Sequence, residues 1–177
     1  RSRAKYAGRL FLFALISEVP FDLAFSRRMW DFSSSNVFFT LLFGLLVIWG
    51  VEGIKQKFVE EVYGNKAAVI RLILTIVTVA AGGFLALLFS TDYDLSGIVT
   101  IFAIYKFYPQ KVKGMGIGVF VLTLLASIIE AAAFLDMIPV YFYNGTRGKQ
   151  MKYFFYIFYP AHLFILAMIA RAMGLNG

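Results

Sequence analysis

The sequence predicts an all-α fold, a polytopic transmembrane helical bundle of about six membrane segments in a single integral membrane domain, residues 1–177. Three observations point there. Hydrophobic residues make up 60% of the chain and charged residues 15%, against roughly 45–50% and 25% in an ordinary soluble domain. Long apolar runs alternate with short connections rich in charge, glycine or serine, and none of these connections is long enough to fold separately. The basic residues collect in alternate connections, which is the pattern of the positive-inside rule.

The segments follow in order. Leu10 to Ser26 is an apolar run broken by Glu18, Pro20 and Asp22, just long enough to span at about 1.5 Å per residue. Phe32 to Val51 is uncharged and starts with a serine cluster and Asn36, residues suited to cap a helix. Leu72 to Thr91 is the clearest span, and Gly82-Gly83 gives it a small-residue surface for close helix packing. Leu95 to Tyr108 is short, and Lys106 is its only charge. Gly114 to Leu135 is read as one segment, with Gly114, Gly116 and Gly118 near one end. Lys152 to Met173 is the sixth.

With the N-terminus in the cytoplasm, most of the 17 basic residues fall inside, among them Arg3, Lys55, Arg71, Lys106, Lys111, Lys113 and Arg171. The exception is the fifth connection, which places Arg147, Lys149 and Lys152 outside. A net charge of +7 spread over many short loops does not form the dense stripe that tracks a nucleic-acid backbone, so no nucleic-acid partner is expected; the partner is the lipid bilayer. The absence of cysteine excludes a disulfide or a thiolate nucleophile. With a single histidine it leaves no expectation of a metal.

That histidine, His162, lies inside the uncharged run from Tyr153 to Ala170. An imidazole at membrane depth is costly without partners, and it is the side chain best suited to move a proton near neutral pH. Tyr153, Tyr156, Tyr159 and His162 recur every three residues. Neighbours in that series stand about 60° apart around a helix, so at most Tyr156, Tyr159 and His162 share one side. Pro160 lacks an N–H and frees the Tyr156 carbonyl between them. The plainer alternative is a histidine hydrogen-bonded between helices.

Other polar residues invite two readings each. Glu18 and Asp22 share one helix face, either as a structural pair satisfied by Asn36 or an arginine, or as part of a proton path. Tyr143-Asn-Gly-Thr-Arg-Gly148 has the composition of a tight turn, yet Asn144 could stabilise an oxyanion and Arg147 could hold a phosphate or carboxylate. Thr91-Asp-Tyr-Asp-Leu-Ser-Gly97 reads as a solvated connection on the same outer side. Glu130 is an acid within a span, with no partner assigned.

These residues carry a resemblance to the TraX family of bacterial membrane proteins, named for the acetylation of conjugative pilin. The blocks are Leu12-Phe-Ala-Leu-Ile-Ser-Glu-Val-Pro-Phe-Asp-Leu-Ala-Phe25, Asn36-Val-Phe-Phe-Thr-Leu-Leu42, Thr91-Asp-Tyr93, Tyr143-Asn-Gly-Thr-Arg-Gly148 and Lys152-Tyr-Phe-Phe-Tyr-Ile-Phe-Tyr-Pro-Ala-His-Leu163. The resemblance implies kinship with membrane acyltransferases and an acetyl group taken from acetyl-coenzyme A in the bacterial inner membrane. The acceptor would be an amine or hydroxyl of a protein N-terminus, glycan, lipid or small amine. His162 would serve as base, Tyr159, Asn144 or Arg147 as oxyanion donors, and Lys106, Lys111 and Lys113 as phosphate ligands. Family members usually start with a further helix or two carrying an Asp-His-Ile-Gly element that this chain does not contain. The expectation is therefore an N-terminally incomplete chain, in which a principal histidine upstream would leave His162 a supporting role. A different class of function, a small proton-coupled transporter using Glu18, Asp22 and Glu130, is the alternative.

Overall fold

The structure, a computed structural model, describes residues 3–26, 31, 33–146, 148 and 151–174, and it is all-helical, as the sequence predicts. Its elements are α1 (Arg3–Phe25), α2 (Val37–Lys57), α3 (Glu60–Tyr63), α4 (Lys66–Leu88), α5 (Asp94–Lys106), α6 (Lys111–Leu125), a 3-10 helix (Ile128–Asp136), α7 (Met137–Phe142) and α8 (Lys152–Ala172). Among the described residues, three helices are long and apolar enough to cross a membrane, over Val37–Lys57, Lys66–Leu88 and Tyr153–Ala172. The other expected segments are helical too, but α1 is interrupted by charge and α5 and α6 are short.

The packing inverts the usual soluble pattern. In α4, large apolar side chains such as Leu72, Ile76 and Phe84 face outward, while its buried residues are Ala67, Gly82, Gly83 and Ala86. Lipid tails are as apolar as leucine, so burying a leucine there gains little; small residues let backbones approach and gain dispersion contacts instead. Gly82 receives Val47 of α2, Gly44 receives Ile101 of α5, and Gly118 of α6 receives Ile104 of α5. Two apolar clusters result. One joins α1 and α2 through Leu10, Ala14, Phe38 and Leu42, with Tyr156 and Tyr159 of α8 packed against it. The other joins α2, α4 and α5 through Val47, Val51, Ala86 and Ile98.

Among the described residues, the two ends of the bundle differ in charge. At the basic end, Lys55 donates to the Tyr105 hydroxyl at 2.9 Å, Tyr105 donates to Glu52, and Arg3 stands 3.8 Å from Glu52. The acidic end is formed by the end of α1, the start of α2 and the α4–α5 loop. There Ser35 N–H donates to the Ser90 carbonyl and Asp92 N–H donates to the Ser35 carbonyl, both at 2.8 Å, so the two loops are stitched together.

The fifth segment departs from its expected single crossing. Helix α6 stops at Leu125; Ser127 then caps a nine-residue 3-10 helix by accepting from the Ile129 N–H. This stretch and α7 return along α6, with the Met137 terminal methyl 3.3 Å from where a Cβ on Gly116 would stand. The lengths agree: at about 2.0 Å per 3-10 residue and 1.5 Å per α residue, the return path covers the rise of α6. A long 3-10 stretch is unusual, but it keeps backbone groups paired within the segment, as an apolar medium requires.

This hairpin corrects the placement of the fifth connection. Lys111 lies over the Tyr143 ring, and its Nζ is 3.7 Å from where a Cβ on Gly145 would sit. Tyr143, Asn144 and Gly145 therefore lie at the basic end, rather than beside Thr91–Asp94 as the sequence reading had it. One consequence concerns α8, which runs parallel to α1. Its Tyr156 stacks on Phe13 and hydrogen-bonds with Tyr6, whereas Tyr159 reaches the start of α2. Helix α8 therefore runs toward the acidic end and carries Arg171, in its last turn, that way, opposite to its sequence-based assignment. The cause is the hairpin's extra pass, which periodicity alone does not reveal.

Candidate functional site at the acidic end

Asn36 organises the site. It is fully buried, caps α2 by accepting from the Phe38 N–H at 3.0 Å, and donates its amide to the Ala14 carbonyl at 2.8 Å and to the Glu18 carboxylate. Its own N–H also faces Glu18 Oε2 at 3.4 Å. A capping asparagine thus spends both halves of its amide, one on the helix it starts and one on the helix behind it. Glu18 is half-buried, with its carboxyl group at the N-terminal, positive end of the α2 dipole. Asp22, also buried, accepts from the Asp31 N–H at 2.9 Å and so fastens the loop that follows α1. The arginine considered as a partner for these acids is not found among the described residues; Asn36 takes Glu18 and a backbone amide takes Asp22.

Tyr159 enters from α8. Its ring meets Phe38 edge-on at 5.0 Å, and its hydroxyl lies against the Val37 N–H, within electrostatic reach of Glu18, Asp92 and Tyr93. Across the α4–α5 loop, Asp92 sits above the usual carboxylate range, first because it is drawn partly out of water and then because Glu130 and Asp94 are near. Tyr93 is raised for the same kinds of reason: burial first, then Glu130 and Asp92. Glu130, half-buried on the 3-10 helix, thus acquires neighbours that the sequence left unassigned. The turn that presents Asp92 and Tyr93 has positive φ at Ser90 (45°) and Asp94 (43°), a conformation non-glycine residues adopt sparingly.

His162 stands one turn beyond Tyr159, half-buried. Its ring stacks on Phe158 at 5.0 Å and meets Tyr159 edge-on at 5.6 Å, while Nδ1 is 3.0 Å from the Phe158 carbonyl oxygen. A carbonyl only accepts, so Nδ1 carries the hydrogen. In the neutral ring, Nε2 is then left with a lone pair and no partner from its own helix. Tyr156 does not share this surface, because it turns toward Phe13 and Phe38.

The remaining candidate residues lie elsewhere. Asn144 is exposed at the basic end and its Oδ1 accepts from Thr146 N–H at 2.9 Å and Thr146 Oγ1 at 2.6 Å, which is the tight-turn role. It is not brought to His162. Arg147 lies outside the described residues. Lys106, Lys111 and Lys113 do not converge: Lys106 turns to a groove between α2, α4 and α5, Lys111 to Tyr143, and Lys113 to Phe107. One loop separates them in sequence and α5 and α6 pack closely, with Gly114 against the Phe107 backbone and Gly118 against Ile104, yet the three side chains end on different neighbours. Asp92 and Tyr93 are the site residues that sequence reasoning passed over as a solvated connection. Their signal was present, since Thr91-Asp-Tyr93 is one of the blocks that carry the family resemblance.

Comparison with known proteins agrees with that resemblance. Residues 1–170 match the model of the TraX protein family. The chain is also similar to the probable fimbrial assembly protein FimC, serogroup H1, of Dichelobacter nodosus, at 25% identity over 94% of this chain and 71% of that protein. No solved structure matches. The match over nearly the whole chain, together with its apolar helices, makes this a membrane protein that belongs to the TraX family.

Proposed function

We propose that the chain is a membrane-embedded acetyltransferase, multi-pass in the bacterial inner membrane, which moves an acetyl group from acetyl-coenzyme A to an amine or hydroxyl. The observation that carries this reading is the contact of His162 Nδ1 with the Phe158 carbonyl oxygen at 3.0 Å. A carbonyl can only accept, so this contact assigns the hydrogen to Nδ1 and leaves Nε2 as the acceptor, with the Tyr159 ring edge-on beside it. Acetyl-coenzyme A would supply the activated thioester. His162 Nε2 accepts the proton of the attacking amine or hydroxyl as the new bond to the acetyl carbon forms, and returns it to the sulfur as the C–S bond breaks. Tyr159 takes the Val37 N–H on its oxygen and keeps its own O–H to donate to the developing oxyanion. Asn144 drops out of that role because of its position.

The name of the Dichelobacter nodosus relative favours an acceptor on a surface-fibre subunit, either its N-terminus or a glycan attached to it. Lipids and small amines are chemically equivalent acceptors. The transporter reading has weaker support. Glu18 is engaged by Asn36, and one oxygen of Asp22 by the Asp31 N–H, so each carboxylate has a structural contact at the end of the bundle.

The test is incubation of the purified protein, reconstituted in vesicles, with radiolabelled acetyl-coenzyme A. Release or transfer of label supports the proposal. Failure to bind or turn over the donor would sink it, and proton-coupled uptake abolished by Glu18→Gln would establish the transporter instead.

A further inference from the structure

At the basic end, far from His162, a groove of about 830 Å³ opens between α2, α4 and α5. Three cations from three different helices meet at its mouth: Lys55 near the end of α2, Arg71 near the start of α4 and Lys106 at the end of α5. Beyond them the wall is almost wholly apolar. It runs along α4 from Leu72 to Ala80, a rise of about 12 Å, and is faced by Val51 and Phe102. The same α4 surface carries exposed large side chains, so the groove opens sideways toward the bilayer.

The cations are only partly committed. Lys55 spends one of its three donors on the Tyr105 hydroxyl, and Arg71 gives Nε to the Ala67 carbonyl at 3.3 Å. The acids that face this mouth are Glu60, 3.6 Å from Arg71 and largely exposed, and Glu52, which already receives Tyr105. Positive charge at the mouth therefore exceeds negative. A soluble anion would match the mouth and leave the long apolar wall without a partner. A molecule with a phosphate head and a hydrocarbon chain matches both.

We propose that this groove is a binding site for an anionic phospholipid, its phosphate held by Lys55, Arg71 and Lys106 and one acyl chain laid along α4 between Leu72 and Ala80. Basic pockets between helices at one membrane face are the arrangement that recognises such head groups. The site is independent of the acetyl-transfer reading.

The test uses the reconstituted protein with spin-labelled phosphatidylglycerol and phosphatidylcholine, and reads the motionally restricted fraction of each. Wild-type protein is expected to prefer phosphatidylglycerol at least fivefold, on the order of what one cation near a membrane surface contributes. The combined Lys55→Gln, Arg71→Gln and Lys106→Gln variant is expected to lose that preference, and Ala80→Trp, which fills the wall without altering charge, to weaken restriction of the anionic lipid. Equal restriction of the two lipids by wild-type protein would overturn the proposal, and that reading needs no variant to fold. Displacement of the label by millimolar inorganic phosphate or free coenzyme A would overturn it too, in favour of a soluble phosphate ester.

Discussion

The Lys111 ammonium stands 4.7 Å from the centroid of the Tyr143 ring. Lys111 opens α6 and Tyr143 directly follows α7, so this single contact shows that the chain between them goes out along α6 and comes back. It places the turn Asn144–Thr146 at the basic end. Because the chain lacks cysteine, the placement can be read directly by single-cysteine labelling. Thr146→Cys and Gln56→Cys are expected to react with a membrane-impermeant maleimide from the same side, and Ser33→Cys from the other. Labelling of Thr146→Cys from the Ser33 side would contradict the hairpin.

Asn36 is predicted to be the most sensitive polar residue for stability. Asn36→Ala removes the α2 cap and leaves the Ala14 carbonyl and the Glu18 carboxylate short of a donor. The expected loss is about 2–4 kcal/mol, from a cap of about 1 kcal/mol and a hydrogen bond to a charged group. Thermal unfolding in detergent measures it, and a variant as stable as wild type would refute the role assigned to Asn36. Asn36→Asp is expected to be no better, since it sets a second carboxylate beside Glu18.

Neighbouring glycines of α4 should respond differently to the same change. A Cβ at Gly82 meets a Val47 methyl, and a Cβ at Gly83 meets the tip of Leu95. Valine is stiff about its one χ angle, whereas leucine can swing its terminal methyls aside. Gly82→Ala is expected to cost about 1–3 kcal/mol and to be partly restored by Val47→Ala, while Gly83→Ala should be close to neutral. Unfolding of the four proteins side by side checks this, and the reverse order would show that α2 and α4 pack otherwise.

The acidic end should be less stable at neutral pH than in mild acid. The Asp92 carboxyl titrates above its ordinary value in the folded protein, so the folded state holds this proton more tightly than the unfolded chain does. Its stabilising contribution is complete below the ordinary carboxylate range and is lost as pH rises through the raised value. Asp92→Asn, which stays uncharged, is expected to flatten the rise of Tm on acidification and to raise Tm near pH 7. Parallel melting curves for the two proteins across that range would show that burial and the nearby Glu130 and Asp94 do not raise Asp92.

The helices were legible in sequence because each is a long run of one physical character. Apolar residues from Val37 to Val51 and from Leu72 to Leu88 admit no other reading in a chain this poor in charge. Asn36 as a cap and its pairing with Glu18 were legible as well, from residue type and position. The return of the chain at Ala126 was not, because the 3-10 stretch Ile128–Asp136 is as apolar as a continued span and differs only in backbone geometry. From that one turn came the misplacement of Asn144 and of Arg171. The separation of Lys106, Lys111 and Lys113 was hidden for a different reason: closeness in sequence across a loop says little about which neighbours long side chains on two packed helices reach.

His162 carries the central claim, and its removal tests it most directly. Turnover of labelled acetyl-coenzyme A by reconstituted His162→Ala and His162→Gln is measured against wild type, with thermal unfolding alongside. Loss of a positioned general base predicts a fall in kcat of at least about tenfold and as much as 10²–10⁴-fold, with unfolding little changed, because the ring is only half-buried and its one hydrogen bond lies within its own helix. Wild-type turnover in both variants would contradict the account and leave His162 a structural residue.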